Sequence, residues 1–497
     1  MTKKTTRLGA EERAEIQELY LADSLPWVIG YSGGKDSTAV LRLIYEAIRD
    51  LPKEKRAKPT FVVSSDTLVE TPIVVELIGE TLAKVRESAV RDELPFLVPD
   101  QVTPKTSETF WVNLIGKGYP APTRQFRWCT ERMKIDPVSE FIRDKVAKFG
   151  EVIVVLGSRA AESSSRAQVM KRHRIEGRRL ARHTTLINAF VYTPIETWSA
   201  DDVWEFLFSG PAPWGGDHQA LFDLYKDSNA GECPLVIDTS TPSCGNSRFG
   251  CWVCTVVTKD RAIDGLIESG KSWLKPLKQF RNDLYDTTLP ENKHRLRHFR
   301  RRDGRVKVST DEDTGAQKHI PGAYWMDVRR DLLRRLLKAQ KEVCTQNPKS
   351  APELITKAEL EKIRNQWRHD PNEPDWQDSV PKIYSEVMGE SIDWQRHDDA
   401  IFGGADARLV SEASAAHGLP GQMVMKLIEM ELSMEGLSKR SQVFSKLEEI
   451  LGKDWGEAAE LIQRRAELGA RLRDRDQQEQ SLLESHENLK KLINDAS

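Results

Sequence analysis

Through the first half of the chain, short apolar runs alternate with stretches whose apolar residues recur at helical spacing. Residues 26–31 (PWVIGY) predict a short buried strand. In residues 38–48, Ala39, Val40, Leu43, Ile44, Ala47 and Ile48 share one helical face, which predicts a helix. Residues 60–64 (TFVVS) predict a second strand with Asp66-Thr67 at its carboxyl end, and Thr71-Pro72 opens a helix running to about Asp92. A short strand is predicted at 96–98, and 152–156 (VIVVL) is the clearest strand of all. The alternation predicts an α/β fold, a doubly wound parallel sheet with helices on both faces. Ligands of such sheets bind beyond the carboxyl ends of the strands. That edge gathers Ser32 to Ser37, Asp66 and Gly157-Ser158-Arg159, with a nucleotide expected across it.

The pattern changes further on. From about 209 the chain becomes rich in Pro, Gly, Trp and Cys, which reads as an irregular insertion. Residues 300–304 (RRRDG) and 309–322 read as a turn and a loop. Beyond Trp325 the periodicity is helical, interrupted at 346–353 and 370–382, and a charged final helix is predicted over about 455–494. Its apolar spacing fails at 473–481, so no sustained coiled coil is expected. The expected organisation is a nucleotide domain at 1–208, a Cys-rich and basic segment at 209–308 and a mainly helical region at 309–497.

Composition narrows the classes. With 74 Lys+Arg against 76 Asp+Glu, net charge alone announces no nucleic-acid partner. The first residues lack the apolar core of a signal peptide, and no apolar run approaches the ~20 residues needed to span a bilayer. The expectation is therefore a cytoplasmic protein without a membrane partner. In that compartment six cysteines read as metal ligands or reactive thiols rather than disulfides.

Three motifs carry chemistry. Ser32-Gly33-Gly34-Lys35-Asp36-Ser37 lies between a strand and a helix. Its glycines permit close backbone approach to a ligand, while Ser32, Lys35 and Ser37 add hydroxyls and a cation where helix N–H groups can bind an anion. The spacing is neither a GxxxxGK[ST] loop nor a GxGxxG turn. Cys233, Cys244, Cys251 and Cys254 follow the spacing C-x10-C-x6-C-x2-C. Four thiolates on such a loop suit zinc or an iron–sulfur cluster, and the spacing does not separate them. Gly157, Ser158 and Arg159 end the strongest strand, and Arg159 offers a planar fork of donors for a phosphate, with Arg166 nearby in sequence. Apart from these, Cys129 sits among Arg124, Arg127, Arg132 and Lys134, a setting that favours a nucleophilic thiolate. Cys344 has no such company and reads as structural. Ser199 with Asp202 three residues on predicts a capped helix start, and Trp198 and Trp204 read as core. The basic runs 171–182 (KRHRIEGRRLAR) and 293–307 (KHRLRHFRRRDGRVK) have the footprint of a polyanion-binding face, which solvated helix faces also produce. His173, His294 and His298 read as parts of these basic surfaces.

SGGKDS resembles the pyrophosphate-binding PP-loop of ATP pyrophosphatases. Together with the GSRAAES segment and Arg166, the RWCTERMK segment and PIETWSADDVW, it resembles the PAPS reductase superfamily over roughly 25–260. The Cys-rich loop and the long helical second half resemble the DndC-type sulfurtransferases of DNA phosphorothioation. The resemblance implies a fold of adenine-nucleotide α-hydrolase type and a 4Fe-4S cluster on Cys233, Cys244, Cys251 and Cys254. It also implies DNA as acceptor, a cysteine desulfurase as sulfur donor, and other proteins of the modification system as partners. One departure is visible: Trp128-Cys129 stands where APS reductases carry a Cys-Cys pair, leaving Cys129 as a cluster ligand or a sulfur-handling thiol.

The expected activity is that of an ATP-dependent sulfurtransferase that adenylates a DNA backbone phosphate, releases pyrophosphate and inserts sulfur. Ser32, Gly33, Gly34, Lys35, Asp36 and Ser37 would hold the pyrophosphate end of ATP, with Gly157, Arg159 and Arg166 beside it. Asp66 would act near the nucleotide through Mg2+, Arg159 would stabilise phosphate charge, and cluster iron or Cys129 would hold the incoming sulfur. A PAPS or APS reductase that makes sulfite from a sulfonucleotide is the alternative. A nucleotide-switched DNA-binding protein without turnover is a third reading.

Overall fold

The computed structural model describes residues 8–495 except 163, 176–178, 228–249, 312–314, 396–401 and 435–441. Two compact units are interleaved along the chain. The first comprises Met1–Asn113, Ala121–Thr288 and Arg335–Glu359; the second comprises Leu114–Pro120, Leu289–Arg334 and Leu360–Ser497.

The first unit is built on a six-stranded sheet. Its elements in chain order are α1 (Ala10–Ala22), β1 (Trp27–Gly30), α2 (Lys35–Arg49), β2 (Thr60–Ser65), α3 (Pro72–Arg91) and β3 (Leu97–Val102). Then come α4 (Asp136–Phe149), β4 (Val152–Val155), α5 (Ser164–His173), β5 (Ala181–Arg182), β6 (Ala189–Tyr192), α6 (Ala200–Phe208) and α7 (Gln219–Asp227). The strand order is β3-β2-β1-β4-β6-β5, and all neighbours run parallel except the edge pair β5–β6. The sequence predicts the first four strands. It does not predict β6, whose inner pair Phe190 and Val191 is only half-buried while Ala189 and Tyr192 are buried, a pattern without alternation.

Chain order places the reversal between β1 and β4: β1, β2 and β3 step to one side, and β4 and β6 fill the other. This is the switch point at which doubly wound sheets leave a crevice. One sheet face packs Val28, Val63, Val152, Val154 and Ala189 against Ile142 and Phe141 of α4. The helix α2 is buried all round, so its polar positions need internal partners. Arg42 meets Glu46 at 2.8 Å and donates to the carbonyls of Phe206 and Leu207 at the end of α6. Glu46 also takes Arg13 of α1 at 2.6 Å. At the start of α6 the predicted cap is present: Asp202 N–H donates to Ser199 Oγ and Asp202 carboxylate accepts from Ser199 N–H.

The second unit is mainly helical, with helices Gly404–Ala416, Gly421–Ser433, Val443–Leu451 and Ala458–Asp495 among its elements. Where the sequence reads as a loop over 309–322, the chain forms a two-stranded hairpin of β7 (Lys307–Thr310) and β8 (Gln317–Ile320). Polar side chains on both strands hid it. An ion pair of Arg329 with Asp370 at 2.7 Å is almost wholly buried; Arg329 also donates to the carbonyl of Tyr324. Burial alone would raise the Asp370 carboxyl, but Arg329 and two backbone N–H donors, from Asn372 and Glu373, hold it below its ordinary value. Among the described residues no helix is long and apolar enough to cross a membrane.

Candidate nucleotide and thiol site

The loop after β1 lies at the switch point. Gly33 adopts φ +73°, a left-handed conformation in which a side chain would be strained, and a Cβ there would lie 2.5 Å from Ile78. Ser37 Oγ accepts from the Ser32 N–H at 3.2 Å, lies 3.1 Å from Ser32 Oγ, and donates to the Gly34 carbonyl. These bonds fold the loop over the first turn of α2, where N–H groups have no carbonyl partner within the helix. The N–H of Lys35 meets the hydroxyl of Tyr225 on α7 at 3.2 Å, and the Lys35 ammonium lies 5.6 Å from the centre of that ring.

Asp36 is the loop's anchor. It accepts from Arg159 Nε at 2.6 Å and from Lys35 Nζ at 3.1 Å, and all three side chains are almost fully buried. Arg159 also donates to the Trp198 carbonyl at 3.3 Å. Its guanidinium is therefore built into the loop's support. Gly157, just beyond β4, has a structural role of its own: a Cβ there would lie 2.8–2.9 Å from the backbone of Asp36 and Ser37. Only glycine lets the end of β4 press this closely on the loop. The side chain of Arg166, on α5, lies outside the described residues.

Beyond β2, the Asp66 carboxylate accepts from the Leu68 N–H at 2.8 Å. Leu68 has φ +62°, so the turn is strained. Burial raises the Asp66 carboxyl above its ordinary value; the Leu68 N–H opposes the rise and Glu70 adds to it. The same turn carries the Cys251–Cys254 segment. Trp252 N–H donates to the Val69 carbonyl, Thr71 donates to Gly250 through both N–H and hydroxyl, and Glu70 bridges Cys251 in antiparallel fashion. Cys251 Sγ lies 3.5 Å from Thr67 Oγ1 and 3.6 Å from Glu70 Oε1, and Lys134 Nζ sits 3.1 Å from that same oxygen. Burial and Glu70 push the Cys251 thiol up; Lys134 pulls it down, and Cys129 is near enough to add to the rise. The structure thus brings Cys129 and Cys251, far apart in sequence, into one neighbourhood.

Cys254 N–H donates to the Cys251 carbonyl at 3.0 Å, closing the turn between the two thiols. Arg281, 1 % exposed, clamps it by donating to the carbonyls of Cys254, Val257 and Thr258. Cys233 and Cys244 lie outside the described residues. Among the described residues no group of three or more His, Cys, Asp or Glu side chains is arranged to hold a metal ion. Around Cys129, Arg132 pairs with Glu108 and Lys134 with Glu70, while Arg124 is exposed. Cys344, in the helix Met326–Gln346, receives a hydrogen bond from Gln340 Nε2 at 3.0 Å.

Two residues of this region have no motif to announce them. Tyr225 and Arg281 reach the site only because the fold brings α7 and the helix Lys275–Asp286 to it. Each reads in sequence as an ordinary helical residue.

Comparison with known proteins finds its family match almost wholly within the first unit. Residues 26–256 match the family model described as the phosphoadenosine phosphosulfate reductase domain, a little under half the chain. The match runs from β1 through the Cys251–Cys254 turn. A stretch of 208 residues is 28% identical to an uncharacterized protein of Methanocaldococcus jannaschii, covering 42% of this chain and 36% of that protein's length. The chain therefore matches only about a third of that relative. Among solved structures, a phosphoadenylyl-sulfate reductase from Candida auris aligns at 14% identity and a TM-score of 0.28, covering 45% of this chain and 92% of that one. An FMN adenylyltransferase from Candida glabrata, in complex with FAD and inorganic pyrophosphate, aligns at 13% identity and a TM-score of 0.27, covering 54% and 75%. Likenesses this low add nothing to the strand order described above.

Proposed function

We propose that the reductase-type domain at 26–256 binds ATP at the loop after β1 and serves a sulfurtransferase that activates a DNA backbone phosphate. The observation that carries this reading is the position of Ser32 to Ser37: a hydroxyl-lined loop on a helix N-terminus, at the switch point of the sheet. The N–H groups and hydroxyls of that loop suit a pyrophosphate.

In the proposed reaction a phosphodiester oxygen attacks the α-phosphorus of ATP. AMP is transferred to that oxygen and pyrophosphate leaves. Hydrosulfide then attacks the activated phosphorus, the P–O bond to AMP breaks, AMP leaves, and loss of the S–H proton leaves a phosphorothioate. Adenylation is needed because a phosphodiester oxygen is a poor leaving group. Ser32, Gly33, Gly34 and Ser37 would hold the departing pyrophosphate. Lys35 would supply positive charge beside it, and Asp36 with Arg159 would keep the loop in its binding form. Asp66 would face the nucleotide and take Mg2+, and Cys129 would carry sulfur at the neighbouring thiol cluster.

A 4Fe-4S cluster would be held by Cys233, Cys244, Cys251 and Cys254. The donor chemistry fits, since Cys251 and Cys254 share one closed turn. When bound, such a cluster supplies redox and sulfur-holding chemistry. A cysteine desulfurase would deliver the sulfur, and the protein would work in the cytoplasm with the other proteins of a phosphorothioation system.

The test is pyrophosphate release from ATP by reduced protein and DNA under anaerobic conditions. Gly34→Asp, which sets a carboxylate against the bound phosphates, is expected to abolish release. Absence of release from the native protein, or undiminished release from the variant, overturns the scheme. A second reading rests on the family description itself: a PAPS reductase would use the same loop for a sulfonucleotide. Sulfite formation from PAPS would establish that reading instead.

A further inference from the structure

The basic run 293–307 divides into two sets of cations once it is folded. Arg300 and Arg302 are held inside the second unit. Arg300 donates to the Asp454 carbonyl and to Gln422, and Arg302 donates to the Lys117 carbonyl and faces Asp370. Arg300 is buried, and Arg302 is half-buried against these partners. The second set lies on the helix Pro290–Leu296, the segment after it and the β7–β8 hairpin.

There Lys293, His294, Arg297 and Arg301 meet Lys318 and His319 of β8. The rings of His294 and His319 are 5.6 Å apart. Arg297 donates to the carbonyls of Gly322 and Pro321, Arg301 donates to Pro321, and His319 Nε2 lies 2.7 Å from the Phe299 carbonyl. Their positions are thus fixed by backbone, not by acids. Among the described residues none of Lys293, His294, Arg297, Arg301 and Lys318 has a carboxylate partner. The groups feel one another instead. Burial lowers Lys293, and Arg297, Lys318 and Arg301 lower it further; burial, then His319, Lys293, Arg297 and Lys318, lower His294. His294 and Lys318 are exposed, and Lys293 and Arg301 are half-buried.

A cluster of cations with no carboxylate partner among the described residues is relieved by an external anion, and its spread over a helix and a hairpin suits a row of phosphates better than one small ion. We propose that Lys293, His294, Arg301 and Lys318, framed by Arg297 and His319, form a surface that binds the phosphate backbone of double-stranded DNA. The proposal rests on the reading that DNA is the acceptor.

The test uses the full-length protein and a labelled 30-base-pair DNA duplex without ATP, with binding followed by fluorescence anisotropy across a salt series. Lys293→Gln combined with Lys318→Gln is expected to weaken binding about 10-fold near 0.1 M salt and to flatten the salt slope by about 2, one unit per lost phosphate contact. Thermal unfolding of the variant should match the native protein. Lys171→Gln with Arg172→Gln, on the other basic run, should leave the slope unchanged. Equal binding by native protein and the Lys293/Lys318 variant overturns the surface and leaves the DNA reading intact. Loss confined to the Lys171/Arg172 variant also overturns it, moving the contact to α5. If native protein binds no duplex even at low salt while releasing pyrophosphate from ATP, the surface and the DNA acceptor fall together and the ATP site stands.

Discussion

In the first unit, Lys35 and Arg159 converge on a single carboxylate, Asp36, and all three are almost wholly buried. In the second unit, Lys293, Arg297, Arg301 and Lys318 converge on each other, and carbonyl oxygens take the place of an acid. Both regions read in sequence as positive charge near a phosphate site. Folding gives them different partners: one set of cations shares a buried carboxylate and rigidifies a loop, the other is held by backbone carbonyls. The chemistry of a basic residue is decided by its counter-charge, which sequence position alone does not reveal.

The strongest way to break this comparison is to remove the shared acid. Asp36→Asn removes the carboxylate that Lys35 and Arg159 share, and breaking such a buried pair costs about 3–5 kcal/mol. Urea unfolding of the first unit should show a loss of that size, together with loss of nucleotide binding. A loss below about 1 kcal/mol would mean that water reaches these cations and that the two regions do not differ in kind.

Arg281 tests how firmly three carbonyls, helped by Asn282 Oδ1 and the nearby Asp260, hold a cation in the first unit. Arg281→Leu removes the donors to Cys254, Val257 and Thr258 and leaves buried carbonyls unmatched, at about 1–3 kcal/mol. The expected readout is faster alkylation of Cys251 and Cys254 in the metal-free protein, measured by mass spectrometry, with α/β content unchanged by circular dichroism. Unchanged alkylation rates would show that the turn is held by Trp252 and the strand bridge at Cys251 instead.

Much of the first region was legible from the chain. Apolar runs located β1 to β4, and Ser32 to Ser37 stood out between strand and helix because two glycines and two hydroxyls are needed together there. What escaped were contacts made by the fold. Arg281 looks like a solvated helical arginine, Tyr225 like a core aromatic, and the neighbourhood of Cys129 and Cys251 depends on the turn after β2 meeting the CxxC segment. Arg159 reads in sequence as a phosphate-facing residue, and the fold adds what the sequence did not show, its Nε donating to Asp36. In the second region the hairpin was missed because Lys307, Ser309, Lys318 and His319 give no apolar alternation. His298 read as part of a basic surface; it is buried between Phe299 and Trp325, with ring centres 4.8 and 4.2 Å away.

That histidine sharpens the comparison through pH. Burial, reinforced by Arg300, lowers His298 to about 3, and its Nδ1 accepts from the Arg300 N–H. The folded state therefore binds fewer protons than the unfolded chain once pH falls below the ordinary histidine value. Stability of the second unit should be full above pH ~6.5 and decline as pH drops towards 3, by at most about 1.4 kcal/mol per pH unit. His298→Gln keeps an acceptor without a titrating ring and should flatten that decline. An unchanged pH dependence would assign it to carboxylates such as Asp370, whose lowered value acts in the same direction but only in the carboxylate range.

The smallest effect is expected at Tyr225. Its hydroxyl accepts from the Lys35 N–H, the kind of helix-end donor that a pyrophosphate oxygen would take. In the nucleotide-free loop this bond substitutes for the anion, so an anion arriving there must displace it. Tyr225→Phe removes the competitor and keeps the ring that faces the Lys35 ammonium. Stability without nucleotide should fall by about 1 kcal/mol, the net worth of one hydrogen bond, while ATP binding tightens by up to about 5-fold, the same free energy returned on binding. Urea unfolding without nucleotide reads the first sign, and isothermal titration of native and variant protein with ATP reads the second. Weaker binding by Tyr225→Phe would make the hydroxyl a direct donor to the nucleotide, and α7 would then supply part of the anion site alongside the loop.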